Sequence, residues 1–252
     1  MMREFARISS EITEALRLSN PPVAICFSDT LPAGFDTPPG PAPAGCRFWQ
    51  DATSAKFATT AADHAHCAIG VYTHNLETSS AQQTDLMDAI KVFGDLGYVR
   101  PEDLALIPVL QSRTKHVLYS PLAETPLTPA VVLLFADAAQ ALILSEATQQ
   151  VEGGNAPAMG RPACAVVPQV VNSGRAAMSL GCCGARAYLS LLNESISLFA
   201  FPGARIGDYA ERIVALSAAN AVLSKFHQIR REEIYAGHSP TVQDSLHSMA
   251  AS

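Results

Sequence analysis

The centre of the chain reads Ala130-Val131-Val132-Leu133-Leu134-Phe135-Ala136-Asp137. Five large apolar residues in a row, flanked by small residues, predict a strand that is buried on both faces of a sheet. Residues 138–150 follow with few helix-breaking residues and predict a helix. A buried strand that leads into a helix is typical of an α/β protein, so we expect mixed sheets with helices packed on them.

The first half of the chain repeats this pattern in Pro22-Val23-Ala24-Ile25-Cys26-Phe27-Ser28-Asp29. In both halves the apolar run ends in Phe-x-Asp. A loop, a cysteine, roughly twenty residues and a second cysteine near a glycine then follow. The cysteines of the first half are Cys46 and Cys67, and those of the second half are Cys164 and Cys182.

Equivalent positions of the two halves are separated by about 108–118 residues throughout. A shared order of parts at a near-constant offset indicates a diverged duplication. We therefore expect a single globular unit, residues 1–252, made of two similar α/β lobes at about 21–120 and 129–236. Four cysteines would then converge where the lobes meet around a pseudo-twofold axis.

Apolar periodicity and turn residues predict the remaining elements. Apolar residues at helical spacing predict a helix over 3–18. Further helices are expected over 80–93 and 208–231, and strands over 23–27, 57–60, 104–110, 116–119, 164–171 and 196–201. Residues 30–45 contain five prolines and three glycines and predict a loop. Residues 237–252 are small and polar, and we expect them to fray.

Composition excludes several classes of protein. Hydrophobic residues make up 48% of the chain and charged residues 16%, so a large core needs no disulfide to fold. The net charge of −6 and the absence of a basic run argue against a nucleic-acid partner. The N-terminus lacks the apolar stretch of a signal peptide, and no apolar run is long enough to span a membrane. We expect a cytoplasmic protein, in which thiols are reduced.

Six cysteines in a reducing compartment indicate metal binding or catalysis more than a disulfide framework. Cys46, Cys67, Cys164 and Cys182 are separated by 20, 96 and 17 residues, and no C-x-x-C pair occurs. Structural zinc sites usually use close pairs, whereas scattered thiolates suit a cluster in a preformed site. The sequence therefore predicts an iron–sulfur cofactor, most simply a [4Fe–4S] cluster, on these four residues, with zinc as the alternative.

The motif Ser179-Leu180-Gly181-Cys182-Cys183-Gly184-Ala185-Arg186 supplies the other candidate site residues. Gly181 and Gly184, with Gly70 in the first half, are expected to line the pocket because glycine permits close approach. Arg186 is expected to offset thiolate charge or to hold a small anionic substrate. Cys26, inside an apolar strand, is predicted to be structural.

Several readings stay open at this stage. The order His64-x-His66-Cys67 is also compatible with a transition-metal site or with a catalytic cysteine–histidine pair. A histidine could also bind haem non-covalently. A zinc-binding or metal-free small-molecule sensor is a further alternative. Whether the chain is an enzyme, such as an iron–sulfur oxidoreductase or lyase, stays uncertain, as do its redox partner and oligomeric state.

The chain also resembles the domain of unknown function 169 family over residues 21–213. The resemblance is carried by Pro22-Val23-Ala24, the four cysteines, Ser120-Pro121-Leu122, Gly181-Cys182-Cys183-Gly184-Ala185-Arg186 and Phe201-Pro202-Gly203, among other short motifs. Cys182, rather than Cys183, matches the family position. The resemblance implies the cysteine set and leaves the chemistry open.

Overall fold

The computed structural model describes residues 2–250. The helices are α1 (Met2–Leu16), α2 (Arg47–Asp51), α3 (Ala68–Thr73), α4 (Ser80–Asp95), α5 (Ala138–Val151), α6 (Val166–Ser173), α7 (Cys183–Tyr188), α8 (Ile206–Tyr235) and α9 (Val242–Ala250). The strands are β1 (Val23–Ser28), β2 (Phe57–Thr59), β3 (His116–Pro121), β4 (Val131–Ala136), β5 (Ala158–Met159), β6 (Ala177–Ser179) and β7 (Ser197–Pro202). Short 3-10 helices lie at Pro101–Leu106, Leu122–Glu124, Ala163–Ala165 and Gly203–Arg205. Among residues 2–250, no helix combines the length and the apolarity needed to cross a membrane.

All seven strands form one sheet in the order β2-β3-β1-β4-β7-β6-β5. Neighbouring strands are antiparallel, apart from the parallel β5–β6 pair. Every residue of β4 is buried, as its uninterrupted apolar run predicts. The α/β prediction is therefore confirmed as a mixed sheet with helices. Because both halves belong to one continuous sheet, the structure does not show a division into two lobes.

The halves meet at the antiparallel pair of β1 and β4. There Val23 lies opposite Leu133 and Ile25 lies opposite Val131. On either side, β1 pairs with β3 and β4 pairs with β7, with Val23 opposite Pro121 and Val131 opposite Pro202. The last strand of each half, β3 or β7, is thus adjacent to the first, and the strand before it in sequence, β2 or β6, lies outside it.

Side chains alternate between two faces of the sheet, which separates two cores. The helix face packs alternate residues of β1 and β4 against α1, α5 and α8, with Ile12, Leu144 and Ile213 fully or almost fully buried. The cysteine face carries the other residues of these strands, together with Trp49 and Cys46, Cys67 and Cys164. Cys26 lies in a separate small cluster with Phe35, Ala58 and Leu118.

Most predicted elements are confirmed with small shifts at their ends, but residues 164–171 are not a strand. The turn Ala163–Ala165 runs into α6, where Val166, Val167 and Val170 are buried. Pro168 lies in the first helical turn, where a proline removes no intrahelical hydrogen bond. The left-handed Gly174, with φ of 66°, ends the helix. Burial of one helical face has overridden the strand preference of the valines.

Two further predictions are corrected. Residues 104–110 do not form a strand, because a 3-10 helix, Pro101–Leu106, occupies the start of the segment. Residues 237–252 do not simply fray, because α9 folds back onto α8 up to residue 250. The guanidinium of Arg230 donates to the carbonyl of Pro240, and the hydroxyls of Ser245 and Ser248 donate to Glu233. Residues 251–252 lie outside the described residues.

Candidate functional site

Each of the four predicted cysteines stands where the chain enters a short helix on the cysteine face. Cys46, Cys67 and Cys182 are the N-cap residues of α2, α3 and α7. Cys164 lies in the 3-10 turn that continues into α6. None of the three N-cap cysteines caps its helix through its side chain, so the sulfurs are available for other contacts.

The structure brings these four sulfurs into one neighbourhood. Cys46, Cys67 and Cys164 are buried in the same apolar cluster, and the half-buried Cys182 packs against it. Burial raises the pKa of the Cys46 thiol, and the charges of Cys67, Cys164 and Cys182 raise it further. Burial likewise raises the pKa of Cys164, and Cys67 and Cys182 add to this effect. All four are free thiols within electrostatic reach of one another.

Hydrogen-bond donors lie beside two of the buried sulfurs. Burial raises the pKa of Cys67, but the backbone amides of Gly45 and Gly70 oppose that rise by donating to its sulfur. Thr73 likewise opposes the rise of the pKa of Cys164, while its hydroxyl donates to the carbonyl of Gly70. Such donors favour the thiolate, which is the form that binds metals.

Two glycines make room for this arrangement. A Cβ atom at Gly70 would stand 2.8 Å from the Cys67 sulfur, and one at Gly45 would stand 2.6 Å from Nδ1 of His64 and 3.8 Å from the same sulfur. Gly45 gave no signal in the sequence beyond its place in the proline-rich loop. The nearest neighbours of Gly181 are Leu192 and Arg186, not a cysteine sulfur.

His64 is an almost fully buried polar residue beside Cys67, at 1% exposure. Its Nε2 lies 3.0 Å from the hydroxyl of Thr59, and that hydroxyl donates to the carbonyl of Val117. We assign the imidazole proton to Nε2, because both hydrogen bonds then form. Nδ1 is consequently a bare lone pair, and it has no hydrogen-bond partner. Burial, with a contribution from His74, lowers the pKa of His64 to about 3, so the ring is neutral.

His74 and Tyr119 are buried polar residues that the sequence did not single out. Nδ1 of His74 lies 2.9 Å from the carbonyl of Gly70, and its Nε2 is unpartnered. The two imidazole rings are 6.3 Å apart, and burial lowers the pKa of His74 to about 4. The hydroxyl of Tyr119 makes no hydrogen bond in the structure. Burial raises the pKa of this hydroxyl, and the nearby cysteines raise it further. One pattern in the sequence could have identified His74: it follows Cys67 by seven residues, which is about two helical turns.

Arg186 is engaged with the backbone around Cys182. Its guanidinium donates to the carbonyls of Leu180, Asn193 and Ile196. These contacts fix the loop on both sides of α7 and so hold Cys182 in place. A role of Arg186 in binding an anion stays a prediction, as does the lining role of Gly184, whose nearest neighbour is Tyr188.

His66 and Cys183 are both exposed, whereas Cys67 is buried and Cys182 is half-buried. His66 lines an open cleft of about 560 Å³ under the proline-rich loop, together with Asp36, Asp63 and His116. The charged side chains among the described residues that line this cleft are carboxylates, which do not attract an anionic ligand.

The cysteines are neighbours without forming a preassembled site for a single ion. Within residues 2–250, no group of three or more His, Cys, Asp or Glu side chains is arranged to hold a metal ion. The thiols and the neutral imidazoles therefore lie together in one packed apolar cluster.

This combination defines a class: a mixed α/β protein with a buried group of cysteines and neutral histidines on one face of its sheet. The chain belongs to the DUF169 family, described as uncharacterised ArCR, whose model matches residues 11–212. The resemblance inferred from the sequence is thereby confirmed. No curated protein and no solved structure gives a significant match to the chain.

Proposed function

We propose that this protein is an iron–sulfur protein in which Cys46, Cys67, Cys164 and Cys182 hold a [4Fe–4S] cluster. The observation that carries the proposal is the convergence of these four thiols on one face of the sheet, although two of them are separated by 96 residues of sequence. Thiolates are the usual ligands of such clusters, which supply one-electron redox chemistry when bound.

The residues around the sulfurs fit such a cofactor. The amides of Gly45 and Gly70 would donate to the ligating sulfur of Cys67, and such hydrogen bonds tune the reduction potential. The apolar cluster around the thiols limits access of water to them. The two glycines let the backbone approach Cys67 and His64 more closely than a residue with a Cβ atom could.

Electron transfer is a better-supported role for the cluster than Lewis-acid catalysis on a small anionic molecule. Four thiolate ligands leave no open iron position for a substrate, and the described cleft beside His66 is lined by carboxylates. A lyase or other Lewis-acid enzyme would require the half-buried Cys182 to stay unbound.

One observation favours zinc as a second candidate. Nδ1 of His64 is a bare buried lone pair beside Cys67, and its Nε2 proton is held by Thr59. A histidine whose other nitrogen donates to the protein is the usual form of a zinc ligand. Zinc would then bind Cys67 and His64 with two of the remaining cysteines.

Anaerobic purification tests the proposal through iron, acid-labile sulfide and zinc content, with absorption and electron paramagnetic resonance spectra. We expect a brown protein with about four irons per chain, and strong loss of iron in Cys→Ala variants at the four positions. Cys183→Ala and Cys26→Ala are matched controls, because Cys183 is exposed and Cys26 lies in another cluster. A colourless protein that binds zinc would favour the second candidate, and a haem absorption band would contradict both.

We also propose that the chain arose by duplication of a unit with two cysteines. The support is that strand pairs have the same register in both halves: Phe57 opposite Tyr119 in β2–β3 corresponds to Ala177 opposite Ala200 in β6–β7. Directly after β3, the amide of Leu122 donates to the carbonyl of Pro22. Directly after β7, the amide of Gly203 donates to the carbonyl of Ala130.

A crystal structure tests the duplication by superposition of β1–β2–β3 on β4–β6–β7. We expect Cys46 to fall near Cys164, and Cys67 near Cys182. Helices α2 and α3 that leave the sheet in directions unrelated to α6 and α7 would contradict a common origin.

A further inference from the structure

The outer face of α8 carries an unpartnered apolar stripe. Its members are exposed and lie at offsets of 0, 3, 4, 7, 10, 11 and 14 residues, which place them on one side of a helix. We call this set the outer stripe: Glu211, Val214, Ala215, Ala218, Ala221, Val222 and Lys225. Val214 is 40% exposed and Val222 is 55% exposed, and no charged residue occurs between residues 212 and 225.

The outer stripe is palindromic about Ala218. Val214 and Val222 stand four residues on either side of it, and Ala215 and Ala221 stand three on either side. Glu211 and Lys225 stand seven on either side and have opposite charges. The sequence of this face is therefore complementary to itself when read in the opposite direction.

Self-complementarity of this kind fits a twofold axis, because each residue on one copy then contacts its mirror position on the other. In an antiparallel pair of α8 helices, Glu211 of each copy faces Lys225 of the second at both ends of the contact. A parallel pair would instead bring like charges together at both ends. The charges of Glu211 and Lys225 therefore favour a second copy in antiparallel orientation as the partner, and in the single chain Glu211 pairs with the neighbouring Arg212.

The structure leaves this face accessible. The buried Tyr209 and Ile213 of α8 lie on the opposite side of the helix and pack into the helix face of the sheet, and the buried Ala210 borders the outer stripe at its start. Helix α9 contacts α8 through Arg230 and Glu233, beyond the end of the outer stripe. Most of the stripe also lies beyond residue 212, where the family match ends.

We propose that two copies of this chain associate through the outer stripes of α8, antiparallel, with the twofold axis at Ala218. The alanines allow the helices to approach closely, and the valines pack against the partner's valines on either side of the axis. This inference is independent of the cluster and of what the cysteines bind.

Charge exchange tests the contact in the full-length protein by analytical ultracentrifugation. We expect a reversible dimer for the unmodified chain. Glu211→Lys or Lys225→Glu alone should weaken it by about tenfold or more, because each creates two like-charge contacts. The double variant should restore the dimer. Glu77→Lys and Lys115→Glu, at exposed positions elsewhere, are the controls and should have no effect.

A monomer at every accessible concentration would overturn the proposal, as would a dimer that ignores both charge reversals. A second test replaces Ala218 by cysteine in a Cys183→Ser background. The axis position faces its own copy, so Ala218→Cys should form an intermolecular disulfide under mild oxidation. Ala219→Cys, exposed but turned away on the helix, should cross-link far less. Equal cross-linking at the two positions, or none at either, would contradict the axis.

Discussion

At the scale of single residues, the candidate site contains neutral histidines whose burial lowers the stability of the fold. His64 and His74 are almost fully buried, and each keeps one nitrogen without a partner. An unpaired buried polar atom destabilises a fold by about 1–3 kcal/mol. A bound zinc ion, the second candidate, would satisfy the Nδ1 lone pair of His64 and so give the arrangement a purpose beyond packing.

The histidines make the stability of the metal-free protein depend on pH. Their pKa values in the fold, about 3 and about 4, lie below the value of about 6.5 expected for the unfolded chain. Below pH 6.5 the unfolded state therefore binds more protons, and the free energy of unfolding falls as the pH falls toward about 4. Each histidine contributes a slope of at most about 1.4 kcal/mol per pH unit.

The variant His64→Phe should remove one of these contributions. Urea unfolding of the reduced, metal-free protein at several values between pH 7 and pH 5 should show a shallower pH dependence than the unmodified protein. His66→Phe is the control, because His66 is exposed. An unchanged slope in His64→Phe would mean that His64 binds protons equally in the folded and unfolded states, which would contradict a lowered pKa.

Gly70→Ala probes the space beside Cys67. The added methyl group would stand 2.8 Å from the sulfur, so the sulfur must move, while Gly70 has no left-handed φ that would strain an alanine. We expect iron content to fall strongly and thermal stability to change by at most about 1–3 kcal/mol. Gly207→Ala in α8, away from the cysteines, is the matched control, since its new methyl group would meet only Ile8 at 3.9 Å. Equal iron in the two variants would contradict the proposed contact.

At the scale of elements, Glu152 joins three parts of the fold. It follows α5, and its side chain is only 2% exposed. Its carboxylate accepts hydrogen bonds from the Tyr209 hydroxyl of α8 at 2.6 Å, from the Ala176 amide before β6 at 2.6 Å, and from Arg175. Arg175 is half exposed, so the two bonds from Tyr209 and Ala176 carry most of the effect.

Glu152→Ala should therefore lower the free energy of unfolding by about 2–4 kcal/mol, because it leaves a buried amide and a buried hydroxyl unpaired. Chemical denaturation measures the loss, and Glu194→Ala, on the surface, serves as the control. Tyr209→Phe removes one of the bonds and should cost about 1 kcal/mol. A cost for Glu152→Ala no larger than that of the control would show that this junction does not hold the elements together.

At the scale of the whole molecule, the sheet makes the two halves interdependent. β1 and β4, one from each half, are adjacent in the centre of the sheet. A chain cut between them would expose both as unpaired edges along an apolar surface, and such edges aggregate. Even if each half descends from an independent unit, the present fold needs both.

We therefore expect fragments 1–128 and 129–252 to be insoluble or unfolded when expressed separately, and to yield a soluble complex when expressed together. The intact chain should unfold in one transition by circular dichroism and by tryptophan fluorescence. Trp49 reports on the first half only, so a fluorescence transition well before the dichroism transition would contradict this coupling.

Local patterns in the sequence determined those elements whose burial is uniform or strictly periodic. The apolar runs of β1 and β4 and the helical spacing in α1 need no tertiary information, because each pattern fits one secondary structure. The motifs also identified the four cysteines and the family. The same reasoning failed at residues 164–171, where valines that favour a strand form α6 because one helical face meets the sheet.

Only the tertiary structure decided which polar groups meet the sulfurs. His64 and its neighbour His66 look alike in sequence, yet one is buried against Cys67 and the other faces an open cleft. Arg186, a candidate for anion binding, instead donates to three backbone carbonyls. The physical reason is that strand order and register bring distant residues together, and no local periodicity encodes which ones. A sequence can therefore specify where a side chain points on its own element, whereas the packing of the elements decides what it touches.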